Sequence, residues 1–122
     1  MFKARVRLNH ARGWRMPPDA VIADRTSPWA NPFRLLPPTR GGPWIVRRGP
    51  YIWHVEDERQ ARRMSVDLYA AWLLEPAQRS LRDRMRIRFV GKRPACWCVE
   101  GTPCHATVIA ALAATPLECV AA

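Results

Sequence analysis

The sequence predicts a small α/β domain: a mostly parallel sheet flanked by two main helices, with a long Pro/Gly-rich loop insert. Three observations lead there. Short apolar runs bounded by turn formers, such as Ala20–Ala23 and Ala95–Cys98, have the length and composition of strands. Two stretches, about 56–75 and 102–114, carry apolar residues at helical spacing. These elements interleave along one chain of 122 residues, a length that forms one core and one domain, 1–122.

Taken in order, Phe2 to Leu8 alternates, with Phe2, Ala4, Val6 and Leu8 on one side, as a half-buried strand does. After a polar link, Ala20 to Ala23 is continuous and apolar, which suits a strand covered on both faces. Prolines and glycines crowd residues 24–50, so an insert of about 35–55 is expected to be loop, with Tyr51 to Val55 a brief strand or a ledge of aromatics. Ala61, Met64, Leu68, Tyr69, Trp72 and Leu73 mark the best helix; acidic residues 56–58 favour its start and Pro76 ends it. A more polar helical segment runs from Pro76 to Arg86. The strand ending at Cys98 turns through residues 99–103 into a last helix, with Thr102 as its cap and Pro103 as its first residue.

Charge narrows the function classes. The net charge is +10, carried almost wholly by arginine, with lysine only at Lys3 and Lys92. Guanidinium grips phosphate with paired hydrogen bonds, so a nucleotide or nucleic-acid partner is expected; a GC-rich source would give the same bias. Arg79, Arg82, Arg84, Arg86 and Arg88 form a basic run that suits phosphates or a solvated surface. No apolar run reaches membrane-spanning length and no secretory signal opens the chain, so a cytoplasmic protein with reduced thiols is expected.

The chemistry concentrates in ten positions. Cys96, Cys98, Cys104 and His105 hold three of the four cysteines and one of the three histidines. Three readings stand side by side. One is a zinc site with all four as ligands, although C-x-C-x5-C-H is not a usual finger spacing. The second is an anion-binding catalytic site, with Cys98 or Cys104 a thiolate and His105 a proton carrier at a helix start. In the third, the sulfurs are buried core and the histidine caps a helix.

Two segments carry a family resemblance. Asp24-Arg25-Thr26-Ser27-Pro28-Trp29-Ala30-Asn31-Pro32-Phe33 resembles the signature G-R-x-S-x-W-G-N-P-F. Gly91-Lys92-Arg93-Pro94-Ala95-Cys96-Trp97-Cys98, followed by Cys104-His105, is similar to R-G-K-x-L-A-C-W-C … C-H-x-D-V-L. Between them, Ser65 to Leu74 resembles that family's A-V-x-L-Y-x-x-W-L helix. The family is domain of unknown function 4326, found in short bacterial and phage proteins, and the resemblance spans about 20–114. Ala30, Asp24, Pro94 and Thr107 depart from its pattern. The resemblance implies a phage-type protein but no established activity.

If the strands at 20–23 and 95–98 are parallel neighbours, Arg25, Cys98, Cys104 and His105 meet at one rim. Arg25 and the helix start at Cys104 would hold phosphate, Trp29 or Phe33 would stack on a base, and Asn31 and Arg34, at the same turn, would meet the ligand; alternatively Trp29, Asn31, Pro32 and Phe33 form a structural turn packed on the core. The expectation is therefore a protein that binds a nucleotide or nucleic-acid ligand, with residues at the same rim able to process it. Two alternatives remain: a zinc-stabilised nucleic-acid-binding module without catalysis, and a phage interaction protein that blocks a host factor through Trp44, Tyr51 and Trp53.

Overall fold

A computed structural model describes residues 5–98 and 103–118. Strands β1 (Val6–Arg7), β2 (Ala20–Ile22) and β6 (Arg93–Cys96) form a parallel sheet in the order β1-β6-β2. Ile22 and Val6 both pair with Ala95, so the carboxyl ends of the three strands are level. The Ala23 N–H extends the β2–β6 ladder to the Ala95 carbonyl, and the Leu8 N–H reaches the Cys96 carbonyl. Pro94 is tolerated in this central strand because Arg93 and Ala95, not residue 94, make the bonds to the β2 side. A paired ion bridge from Arg93 to Asp19 fixes the other end of the sheet.

The insert is not loop throughout: Tyr51–Val55 is the brief strand that the sequence offered, and two further strands join it. Together they form a second, antiparallel sheet of β3 (Arg34–Leu36), β4 (Trp44–Arg48) and β5 (Tyr51–Val55). The prolines fall between these strands and leave their ladders intact. Gly49, at φ +57°, supplies the positive-φ position of the two-residue turn joining Arg48 to Tyr51. Val46 is fully buried, and Trp44 and Trp53 are half-buried against the core. Of the aromatics expected at an exposed interface, Tyr51 alone stands clear in solvent.

Helix α1 (Glu58–Leu73) begins at Asp57, whose carboxylate accepts from the Gln60 N–H, while the Gln60 side chain accepts from the Glu56 N–H. Its buried stripe, Ala61, Ser65, Tyr69 and Leu73, repeats every four residues. After a short 3-10 turn (Pro76–Gln78) comes α2 (Arg79–Phe89). The basic run divides here. Arg84 and Arg88 face solvent, whereas Arg82 and Arg86 are buried and reach Glu118. Arg82 also donates to the Leu73 and Glu75 carbonyls, capping the end of α1. Helix α3 is His105–Ala113. The two main helices expected are α1 and α3, and the more polar segment expected from Pro76 to Arg86 is the 3-10 turn followed by α2. Among the described residues no helix is long and apolar enough to cross a membrane.

Candidate functional site

Four pieces of chain converge where the parallel strands end. Beyond β2 comes Ala23, fully buried, then Asp24, whose side chain and carbonyl tie the Thr26 and Ser27 turn. The next segment, Trp29 to Phe33, is fastened to one face of α1. The Asn31 amide donates to the Ser65 carbonyl and hydroxyl and its oxygen accepts from the Phe33 N–H. The Ser65 hydroxyl donates to the Phe33 carbonyl, and one helical turn later the Tyr69 hydroxyl donates to the Trp29 carbonyl at 2.8 Å. Burial pushes the Tyr69 phenol above its ordinary range, keeping it a neutral donor.

These bonds decide what the aromatics do. Trp29 is 9% exposed and sits edge-on to Phe89 in the core, so its ring does not form a stacking wall for a ligand in the cleft. Phe33 is also buried, packed against Trp53 and beneath the Arg48 guanidinium, although the residue is part of the cleft lining. Asn31 is spent on the turn itself. Ser65 and Tyr69, not singled out in the sequence, are the residues that hold the segment; their i, i+4 spacing on the best helix was the available signal.

The strand that carries the thiols ends at Cys96, and Cys98 lies past it. The three sulfurs of Cys96, Cys98 and Cys104 lie within 4.8 Å of one another, with Cys96 Sγ and Cys104 Sγ at 3.1 Å. Cys96 and Cys104 are almost wholly buried and Cys98 is half-buried. Arg5, which the sequence did not flag, donates to Cys96 Sγ at 3.6 Å. Hydrogen bonds from the Cys104 and Cys98 thiols, with help from Arg5, hold Cys96 well below the ordinary thiol range. Cys104 is pushed up by the same bond to Cys96, then by Cys98 and by burial. In Cys98, a lowering bond to Cys104 is outweighed by Cys96 and burial, so it too rises. The cluster thus gives up one proton readily and resists losing the rest, until a cation shares the charge.

His105 does not join the sulfurs. Its Nε2 bonds the Ala23 carbonyl, and its ring lies edge-on to Tyr69 at 5.6 Å. A carbonyl can only accept, so Nε2 is the donor. The four-ligand metal set is therefore corrected to three thiols. Cys104, with φ −144° and ψ 137°, is the cap of α3, and His105 is its first residue. The helix begins later than the capping pattern placed it, and Thr102 lies outside the described residues.

Over this floor opens a cleft of about 610 Å³. Arg25, Arg34 and Arg62 line it together with Cys98, Cys104 and His105, and no acidic residue does so among the described residues. Arg62 is already engaged by Glu58 at 2.8 Å. Arg25 and Arg34 are exposed. The rim anticipated from strand adjacency is therefore present, with Arg25, Cys98, Cys104 and His105 on one opening. It can attract an anion, and three soft sulfur donors at its base can hold a metal ion. Trp97, half-exposed, stacks on His10 at 4.1 Å and donates to Asp24 on the neighbouring turn.

The chain matches the family described as Domain of unknown function (DUF4326) over residues 6–115, nearly its whole length, and belongs to it. No curated protein and no solved structure matches the chain.

Proposed function

We propose that this member of the DUF4326 family binds a nucleotide or nucleic-acid ligand through its phosphates in the arginine-lined cleft, beside a zinc ion held by Cys96, Cys98 and Cys104. The observation that carries the reading is the lining: three guanidiniums, of which Arg62 is paired with Glu58, the start of α3 and, among the described residues, no carboxylate in the lining itself. Such a surface favours anions through charge, paired hydrogen bonds and the free N–H groups of the helix end. Pro32, Phe33 and Leu35 in the lining add apolar surface for a base or sugar. Zinc is the metal of choice for a compact, buried thiolate set, and Arg5 offsets the excess negative charge such a set retains.

Binding of a labelled single-stranded DNA oligonucleotide tests the reading, with wild type compared to Arg25→Glu/Arg34→Glu. Both arginines are exposed, so the variant keeps the fold, and its affinity is expected to fall at least tenfold. Equal binding by the two proteins overturns the cleft as the binding site.

A second reading has its own support. The near-complete burial of Cys96 and Cys104 is what a metal-stabilised binding module without catalysis would show. In that case chelation of zinc unfolds the protein and abolishes binding together.

A further inference from the structure

We infer that the three-thiol centre is an open metal site, whose fourth coordination position faces the cleft and takes a donor atom from the bound ligand. The inference rests on the zinc reading above and adds to it a coordination vacancy and the ligand that fills it.

Tetrahedral zinc at about 2.3 Å from each sulfur separates them by roughly 3.8 Å, so a triangle with all edges within 4.8 Å needs only small adjustments. Three corners are then filled, and the described residues leave one open. Among the described residues no fourth histidine, cysteine or carboxylate belongs to the group. His105, the nearest in sequence, is turned to the Ala23 carbonyl and packed on Tyr69.

The direction of the vacant corner follows from what surrounds each sulfur. Cys96 is at the bottom, 1% exposed, with the Arg5 guanidinium against it. A cation on that side disfavours a second cation's open face there. Cys98 and Cys104 both line the cleft. The corner remaining to a metal on these three sulfurs is therefore the one on the cleft side, on the same opening as Arg25 and Arg34. Structural zinc sites close all four positions with protein, whereas sites that act on ligands keep three protein donors and one exchangeable position. The ligand class that fits both halves is a phosphorylated nucleoside: phosphate on the arginines, and a second donor atom within reach of the metal.

The test uses the whole chain with cobalt(II) in place of zinc, because cobalt's visible bands report its coordination. Imidazole, too small to need the arginines, probes the vacant corner alone. Adenosine 5′-O-thiomonophosphate probes corner and arginines together. Both are expected to shift the bands saturably. In Arg25→Glu/Arg34→Glu the imidazole response should persist, while the nucleotide should be needed at about tenfold higher concentration. Cobalt that binds but whose bands ignore imidazole shows a closed site and overturns the inference, leaving zinc binding intact. Failure of the protein to take up cobalt or zinc overturns the zinc reading and this inference with it. A nucleotide response identical in both proteins overturns the placement of the corner beside the arginines.

Discussion

Replacing Asn31 with alanine separates two roles that the cleft alone does not distinguish. Asn31 lines the cleft, yet its amide makes bonds to the Ser65 carbonyl at 3.2 Å, to the Ser65 hydroxyl at 3.0 Å and from the Phe33 N–H at 2.9 Å. Each such bond contributes about 1 kcal/mol net, and water can reach part of this half-buried site to replace what is lost, so the expected cost is about 2 kcal/mol. For a chain of this size that lowers the thermal midpoint by roughly 6–10 °C. Urea denaturation of Asn31→Ala, Ser65→Ala and the double variant measures it, with a coupling of about 1 kcal/mol expected between the two residues. Asn31→Asp is expected to be no better than alanine: it keeps the acceptor for Phe33 but sets a carboxylate against the Ser65 carbonyl. If Asn31→Ala costs less than about 0.5 kcal/mol while oligonucleotide binding collapses, the residue meets the ligand and the clamp argument is wrong.

Other outcomes follow from the same geometry. Raising the salt concentration should weaken oligonucleotide binding in wild type, and Arg25→Glu should flatten that dependence by about one phosphate's worth; an unchanged slope places Arg25 outside the contact. Removing zinc with a chelator should lower the thermal midpoint of wild type but not of Cys98→Ser, whose two remaining thiols hold metal poorly; equal sensitivity in both argues against the three-thiol set. Glu118, held at about 2 by the bonds from Arg82 and then Arg86, is depressed from its ordinary value near 4.5. Its contribution is complete above that ordinary value and fades as the pH falls from there toward 2. Glu118→Gln should therefore show a shallower loss of thermal stability between pH 5 and pH 2 than wild type.

How much of this was legible in the sequence depended on the kind of signal. Helix α1 announced itself through periodicity and the acidic residues before it, and β2 and β6 through composition; their adjacency put Arg25 on the thiol rim. The second sheet was missed because twelve prolines in one chain suggest irregular backbone, whereas those at positions 37, 38, 43 and 50 fall between the strands. The two-residue Gly49-Pro50 turn between β-branched and aromatic runs was the readable clue. For Trp29 the sequence left stacking on a ligand and packing on the core equally open, because exposure is not encoded locally. Its place in the core follows from Tyr69, forty positions away, holding its carbonyl. Arg5 was invisible for the same reason, since parallel pairing alone brings it to Cys96, ninety-one positions away. Arg82 and Arg86 show the converse, a surface-like run of charge partly drawn inward by a distant glutamate.

His105 is where that distinction has the greatest consequence, because adjacency to Cys104 invited a ligand or proton-transfer role. Its Nε2–H instead satisfies the carbonyl of Ala23, a fully buried residue at the end of β2. This bond joins the strand that leads to Arg25 with the helix that begins at Cys104, so it fixes the spacing between guanidinium and thiols. His105→Ala leaves that carbonyl unpaired and should cost about 1 to 3 kcal/mol. His105→Gln, whose terminal amide can extend to the same oxygen, should recover most of the loss in stability and retain oligonucleotide binding. Equal damage from both substitutions would assign the effect to the ring's packing on Tyr69. Zinc affinity lost in both variants while their stability matches wild type would return the imidazole to the metal, and with it the four-ligand set that the geometry disfavours.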